Sequence, residues 1–480
     1  MSDPVDPRAT ASPRHDVFDE VRPPWSRSDR LVPRRVVRPL QEFLQTSTAS
    51  ASLLFLAVVL ALAWANSPWK AGYESLFATE LTVRLGSLVD LQKDLHFWVN
   101  DGLMALFFLV VGLEIKREVV SGELQQLRVA TLPIMAAIGG MVAPALIYLA
   151  IAGGGETGRG WGIPMATDIA FALGVLALAA PYASPRLKPL LLTLAIVDDI
   201  GAIIVIAIFY TGGVETTALI MAFAIVGLIA IANAVHIRFI LVYVVLGAAL
   251  WYATYEAGIH PTIAGVVLGL LTPATPFQRP AAVSEEARRT ADETSDETAS
   301  ADDDAHWWMR LAWLSREAVS PLVRTEHALL PWTSFVILPI FALANAGVEL
   351  SLTRLGDALT APVALGVFFG LVLGKPLGVL VGSFITVRTG LGRLGGDVGW
   401  GDLTGMGMTA GVGFTVALFI AELAFPPGPL LDEAKTAILA ASLVAGVLGY
   451  TILRLAPSPG APQGEEPDAQ PDDAQPIDRQ

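Results

Sequence analysis

Apolar runs of bilayer length recur along this chain, with approximate centres at residues 57, 105, 140, 171, 200, 226, 246, 266, 338, 373, 413 and 444. A helix needs about 20 apolar residues to cross the hydrocarbon core. The pattern therefore predicts an all-α polytopic membrane protein of about 12 transmembrane helices. The eighth run is short, and the fourth and eleventh are interrupted by Gly, Pro and polar residues, which marks them as broken helices. One stretch departs from the helical pattern. Leu81-Thr-Val-Arg-Leu-Gly-Ser-Leu-Val-Asp-Leu-Gln92 alternates apolar and polar positions on either side of Gly86-Ser87, as a β-hairpin does. An exposed strand edge there would pair with its copy in a second subunit, giving a homodimer through residues 81–92; an ordinary surface loop is the other reading.

An even number of spans returns the chain to its starting side, and loop charge says which side that is. With both termini cytoplasmic, the short inner loops carry Lys116, Arg117 and Arg128, then Arg186 and Lys188, then Arg238, then Arg388 and Arg393. The outer loops after the first hold only Arg159, Arg354 and Lys435. The first outer loop has Lys70, Arg84 and Lys93, but it is long and counts for less. Eight arginines in the N-terminal tail agree with this orientation, which places the chain in a cell membrane with both ends inside.

Composition sharpens the picture in three places. Of 480 residues, 53% are hydrophobic, and the mean hydropathy is +0.57; a soluble globular chain rarely looks like this. There is no cysteine, which excludes disulfides, thiolate metal sites and a cysteine nucleophile. The net charge of −14 belongs mostly to two segments rather than to the membrane body. Residues 280–305 hold nine acids against two arginines, and residues 457–480 hold six against one. Such composition buries no core, so both segments read as solvated and disordered. The expected organisation is a tail over 1–46 with no signal-peptide core, a membrane domain over 47–455 with an acidic cytoplasmic insertion at 274–325, and an acidic tail over 456–480.

Five features carry the chemistry. Asp198 and Asp199 lie adjacent in the fifth span, within Leu190–Tyr210. An ionised carboxylate at mid-membrane costs roughly 3 kcal/mol on insertion scales, so such residues usually face a bundle interior or wet cavity and bind ions or relay protons. Neighbours on a helix point about 100° apart, so the two carboxylates have distinct roles; two structural salt bridges are the plainer reading. The fourth span reads Ile163-Pro-Met-Ala-Thr-Asp-Ile-Ala170, where Pro164 frees carbonyls near Thr167 and Asp168; a simple kink is the rival. The eleventh reads Gly405-Met-Gly-Met-Thr-Ala-Gly-Val-Gly-Phe-Thr415, for which close glycine packing is the alternative.

Two interrupted helices in corresponding positions of two halves mark the binding site of an inverted-repeat transporter, here spans 3–5 and 10–12 with breaks in 4 and 11. The four helix ends at such a crossing favour compensating charge, which Asp168 and Lys375 would supply. Lys375 follows fourteen uncharged residues and precedes twelve, too deep to reach the interface, so it is paired or neutral. Its natural partner is Asp198 or Asp199; a purely structural tie between helices is the bland alternative. The last feature is Asn100–Glu118. It has Asp101 toward the outer end of the second span, and Glu114, Lys116, Arg117 and Glu118 at the inner mouth, where mixed charge attracts cations or simply anchors the helix.

Taken together, these residues resemble the NhaA family of Na⁺/H⁺ antiporters. The resemblance is carried by Ala166-Thr-Asp-Ile-Ala-Phe-Ala-Leu-Gly174, Ala195-Ile-Val-Asp-Asp-Ile-Gly-Ala-Ile203, Asn100-Asp-Gly-Leu-Met-Ala105, Gly112-Leu-Glu-Ile-Lys-Arg-Glu118 and Gly374-Lys-Pro-Leu-Gly378. Phe341-Ala-Leu-Ala-Asn-Ala-Gly347 and Gly411-Val-Gly-Phe-Thr415 match too, and the order is consistent from about residue 48 to 455. The resemblance implies a twelve-helix inner-membrane antiporter, commonly a homodimer joined by an outer hairpin. It implies Asp199 as the principal ion and proton carrier, Asp198 as essential, and Lys375 as its pair or a proton carrier. Thr167 and Asp168 match the residues at the helix-four break. Glu114, Glu118, Arg324, Glu326 and His327 match the region tied to pH activation. Two departures stand out. Glu326-His-Ala-Leu-Leu-Pro-Trp332 has Leu330 where the family's best-studied form has a second histidine, and the preceding loop carries the acidic insertion.

The expected activity is exchange of cytoplasmic Na⁺, with Li⁺ a further candidate, for external protons, two per Na⁺ by resemblance, in support of pH and sodium homeostasis. No cofactor, catalytic residue or nucleic-acid partner is expected; the bilayer is the medium. Transported Na⁺ would take oxygen ligands from Asp198, Asp199, Thr167 and freed carbonyls. A Na⁺-coupled symporter of a small organic solute is the alternative, disfavoured by the buried Lys375 beside paired acids. An intramembrane aspartyl protease would need acids from two helices, one after Gly-x-Gly, which no span provides.

Overall fold

A computed structural model describes residues 47–86, 89–179, 182–237, 239–294, 301–349, 356 and 360–455. The tails expected over 1–46 and 456–480 lie outside the described residues. The apolar runs fold as helices. α1 (Ser47–Ala65) leads through α2 (Lys70–Phe77) to the strands β1 (Glu80–Leu85) and β2 (Val89–Asp94). These pair antiparallel from Glu80↔Asp94 to Leu85↔Val89. Gly86 adopts φ +57° at the turn, a conformation that favours glycine. Ser87, expected in the same turn, is outside the described residues.

A π-helical stretch, Trp98–Leu103, opens α3 (Met104–Ser121), which is followed by α4 (Leu127–Ala152). A 3₁₀ segment, Thr157–Met165, is joined to α5 (Ile169–Ala179) at a 43° bend. Then come α6 (Leu187–Phe209), α7 (Thr216–Ala234), α8 (Ile240–Glu256) and α9 (Thr262–Leu271). Glu215 caps α7 by accepting from the Ala218 amide at 2.5 Å.

The acidic run corrects an expectation. Rather than being unstructured where described, it forms α10 (Pro280–Thr294) and α11 (Ala301–Glu317). Net charge hid an amphipathic pattern. Val283 and Thr290 are buried on α10, Trp307, Leu311 and Leu314 are half-buried on α11, and Arg310 meets Glu286 at 3.1 Å between the two helices.

α12 (Pro321–Trp332) passes through a π turn into α13 (Leu338–Asn345). α14 (Pro362–Phe369) does the same into α15 (Lys375–Arg388). α16 (Trp400–Ala410) and α17 (Phe414–Ala424) meet at a 45° bend, and α18 (Pro429–Leu455) closes the fold. Among the described residues, seven helical runs are long and apolar enough to cross a membrane, nine if each bent pair is one span. α8 and α9 are shorter apolar helices. The chain is an all-α polytopic membrane protein with one added β-ribbon.

Packing explains how Lys375 reaches the interior. Gly370, Gly374, Gly378 and Gly382 recur every fourth residue; the last three face α4, and Gly370 faces Pro164 and the Pro144 carbonyl. A Cβ on Gly374 would stand 2.7 Å from Pro144 Cα, and one on Gly378 would collide with the Gly139 carbonyl. Small residues at this spacing let two backbones touch in lipid, where apolar burial drives little association. The same device, with Gly265 and Gly269 against Ala105, Leu109 and Gly112, joins α9 to α3. α17 is buried along nearly its whole length at the centre of the core.

Candidate ion and proton site

The two helix breaks meet. The Asp168 amide donates to the Val412 carbonyl at 2.7 Å, so the unwound residues of one bent pair bond those of the other. Four helix ends point inward there: the starts of α5 and α17, and the ends of the 3₁₀ segment and α16. Helix starts carry partial positive charge and helix ends partial negative charge. Asp168 serves both starts. One carboxylate oxygen accepts from the Phe171 amide of α5 at 3.0 Å. The other accepts from the Thr415 amide of α17 at 3.0 Å and from the Thr415 hydroxyl at 2.5 Å.

The two ends receive donors. Lys375 Nζ donates to the Met165 carbonyl, and the Thr167 hydroxyl lies 2.9 Å from the Ala410 carbonyl. Lys375 also pairs with Asp198 at 2.6 Å, both side chains fully buried. Thr167 is 2.8 Å from the same Asp198 oxygen, Oδ2. The other oxygen, Oδ1, is buried and has no hydrogen-bond partner among the described residues. Buried carboxylate oxygens rarely stay unsatisfied, so Oδ1 is free to ligate.

Asp199, one residue on, faces elsewhere. It is 5% exposed, and among the described residues its carboxylate has neither hydrogen bond nor ion pair. Its charged neighbours are Glu114, Asp198, Asp168 and Lys375. Asp198 is therefore clamped, while Asp199 is buried beside it without a partner among the described residues. Oxygen-only donors of this kind suit a hard cation. Among the described residues no cluster of three or more His, Cys, Asp or Glu side chains forms a resident metal site.

This constellation can be placed among known proteins. The sequence profile of the family described as Na⁺/H⁺ antiporter 1 matches residues 41–453. The chain belongs to that family. A relative named Na(+)/H(+) antiporter NhaA 2, from Sorangium cellulosum, is 46% identical over 439 residues, covering 91% of this chain and 93% of its own. The Na(+)/H(+) antiporter NhaA of Oleidesulfovibrio alaskensis is 44% identical over 427 residues, with 88% and 94% covered. Among solved structures, the sodium proton antiporter MjNhaP1 of Methanocaldococcus jannaschii aligns over 88% of this chain and 98% of its own. It does so at 13% identity and a TM-score of 0.45, a likeness too loose to bear on the site.

The remaining candidates of this antiporter-family chain spread along α3 and α12. Glu114 is half-buried and feels the charges of Asp199, Glu326 and Arg117, so it lies between the core site and one mouth of the bundle. Buried Glu326 forms an ion pair with Arg117. Glu118 is buried and accepts from the Glu123 amide at 2.7 Å. Arg324 is half-buried; His327 and Leu330 are exposed. Asp101 sits at the far end of α3, apart from the others, where its carbonyl accepts from the Trp251 indole at 2.8 Å.

Three participants escaped the sequence reading: Thr415, and the Met165 and Ala410 carbonyls. Thr415 belongs to the interrupted eleventh run, but nothing in the sequence says which break residue meets which. The buried Asn100–Asn345 pair, at 2.8 Å, and the Glu422–Lys435 pair, at 2.5 Å, were also not anticipated.

Proposed function

We propose that this chain is a Na⁺/H⁺ antiporter that expels cytoplasmic Na⁺ in exchange for external protons. The observation that carries the reading is the buried Asp199, unpartnered among the described residues, beside a clamped Asp198–Lys375 pair at the crossing of two broken helices. A carboxylate in that position holds either a proton or part of a Na⁺ shell. Competition for one site couples the two fluxes, and alternating exposure to either side completes the cycle. Thr167 and the unpaired Asp198 Oδ1 are the added oxygen ligands, and Asp168 keeps the crossing neutral.

Twelve spans, with inverted repeats formed by spans 3–5 and 10–12, complete the architecture. Support comes from the two bends of similar angle and from the helices that occupy the apolar runs. Both termini are cytoplasmic, the membrane is the cell membrane, and the β-ribbon joins two copies. Exchange of two protons per Na⁺ moves net charge, and Lys375 gives the site a further titratable group. Glu114, Glu118, Arg324, Glu326 and His327 line the cytoplasmic funnel and set its pH response.

Purified protein in liposomes tests this. A Na⁺ gradient should drive an opposite proton movement, read by a trapped pH dye, and Asp199→Asn should abolish it. A native protein that moves no protons in response to Na⁺ at any pH from 6 to 9 would refute the reading. Uptake of an organic solute driven by Na⁺ would put symport in its place.

A further inference from the structure

A second ionic cluster lies near the end of the bundle away from Arg117 and Glu326. Glu422 on α17 pairs with Lys435 of α18 at 2.5 Å, the two side chains 10% and 11% exposed. His96, just before α3 and directly after the β-ribbon, brings Nε2 to 3.8 Å from the same carboxylate and is 34% exposed. His96 precedes Arg117 by 21 residues on a nearly continuous helix, which separates the two clusters by about 30 Å. The titratable groups facing Glu422 come from three elements: Lys435 from α18, His96 from the start of the α3 run, and Tyr73 from α2.

α17 links this cluster to the core site. Thr415, Phe419 and Glu422 are spaced four and three residues apart, so they share one face of the helix. Thr415 holds Asp168. Phe419, about 6 Å further along, packs on Phe108 and Phe341 with ring centroids 5.3 and 6.4 Å away. Glu422 comes about 10 Å from Thr415. Beside it, Asn100 lies 3.5 Å from the His96 ring and bonds Asn345, giving a buried polar layer over the aromatic one. The order along the face is core carboxylate, aromatic plug, polar layer, outer carboxylate.

We infer that Glu422 is a second proton-accepting station of the transport path, at the mouth opposite the Arg117–Glu326 pair. It exchanges protons with that side through His96, with Lys435 as its counter-charge, when the Phe108–Phe341–Phe419 plug opens. This rests on the antiport reading above. That reading leaves Glu422 without a role, and the geometry supplies one: a largely enclosed acid beside a partly exposed histidine, in line with the core site.

The test uses the full-length protein in liposomes of known orientation, with pH varied on the Glu422 side only. Lys435→Met removes the cation that pairs with Glu422, so half-activation should move to higher pH by about one unit, tenfold in proton concentration. Glu422→Gln with Lys435→Met leaves no buried charge unpaired. It should move the same half-point to lower pH, while the Na⁺ half-saturation on the opposite side stays within twofold. Opposite shifts from these variants are not what loosened packing produces. Unchanged half-points in both, with native exchange intact, would overturn the inference and leave the antiport reading standing. Loss of exchange in the native protein would remove that reading itself.

Discussion

At the scale of single residues, the site is decided by which charges are satisfied. Lys375 spends its donors on Asp198 and the Met165 carbonyl, and all three are enclosed. Removing one member of a buried pair typically costs about 3–5 kcal/mol, because the partner is left charged and unsolvated. Lys375→Met should therefore lower the melting temperature in detergent, and adding Asp198→Asn should recover much of that loss. Equal destabilisation by the single and double variants would show that the pair does not stabilise the fold. The acids and the lysine were legible in the sequence, because a charge inside a long apolar run needs a reason to be there. From the residues alone their pairing was narrowed to Asp198 or Asp199, and the family resemblance pointed to Asp198 or to a proton-carrying role for Lys375. A 100° step between neighbours says the two point apart, but not which one meets a helix far along the chain.

At the scale of elements, two devices position the site. The first is the four-residue glycine period of α14–α15, which seats Lys375 against α4. Gly378→Val would drive a branched side chain into the Gly139 backbone, so it should abolish exchange and lower thermal stability. Gly227→Ala on α7, where a Cβ meets nothing within 4 Å, should leave both unchanged. Equal tolerance of the two variants would contradict close backbone contact.

The second device is the β-ribbon. Its Arg84–Asp90 bond, at 2.6 Å, holds the Asp90 carboxyl below the usual carboxylate range. The pair's contribution is thus complete above that range and fades as pH falls through the lowered value. If the ribbon joins two copies, replacing residues 81–92 by a Gly-Ser linker should yield monomers in detergent by light scattering, with exchange retained. Persistent dimers would place the interface elsewhere. The ribbon and both breaks were readable from alternation and from Gly and Pro. The amphipathic pair α10–α11 was not read, because net charge was weighed without periodicity: Val283 and Thr290 lie seven apart on α10, and Trp307, Leu311 and Leu314 lie four and three apart on α11.

At the scale of the whole molecule, the proposed exchange has one site serve two ions by facing each side of the membrane in turn. If more than one proton is exchanged per Na⁺, the membrane potential adds a driving force worth about 2.3 kcal/mol per net charge per 100 mV. Competition between Na⁺ and a proton at Asp199 is the central step of the proposed mechanism. The most direct measurement is the Na⁺ concentration for half-maximal exchange in liposomes, taken over a series of pH values on the Na⁺ side. Competition predicts a half-saturating concentration that rises as pH falls, approaching about tenfold per unit for each proton displaced, with the maximal rate nearly constant. A half-saturating concentration indifferent to pH, with only the maximal rate changing, would mean that proton and Na⁺ occupy separate sites and would contradict the mechanism.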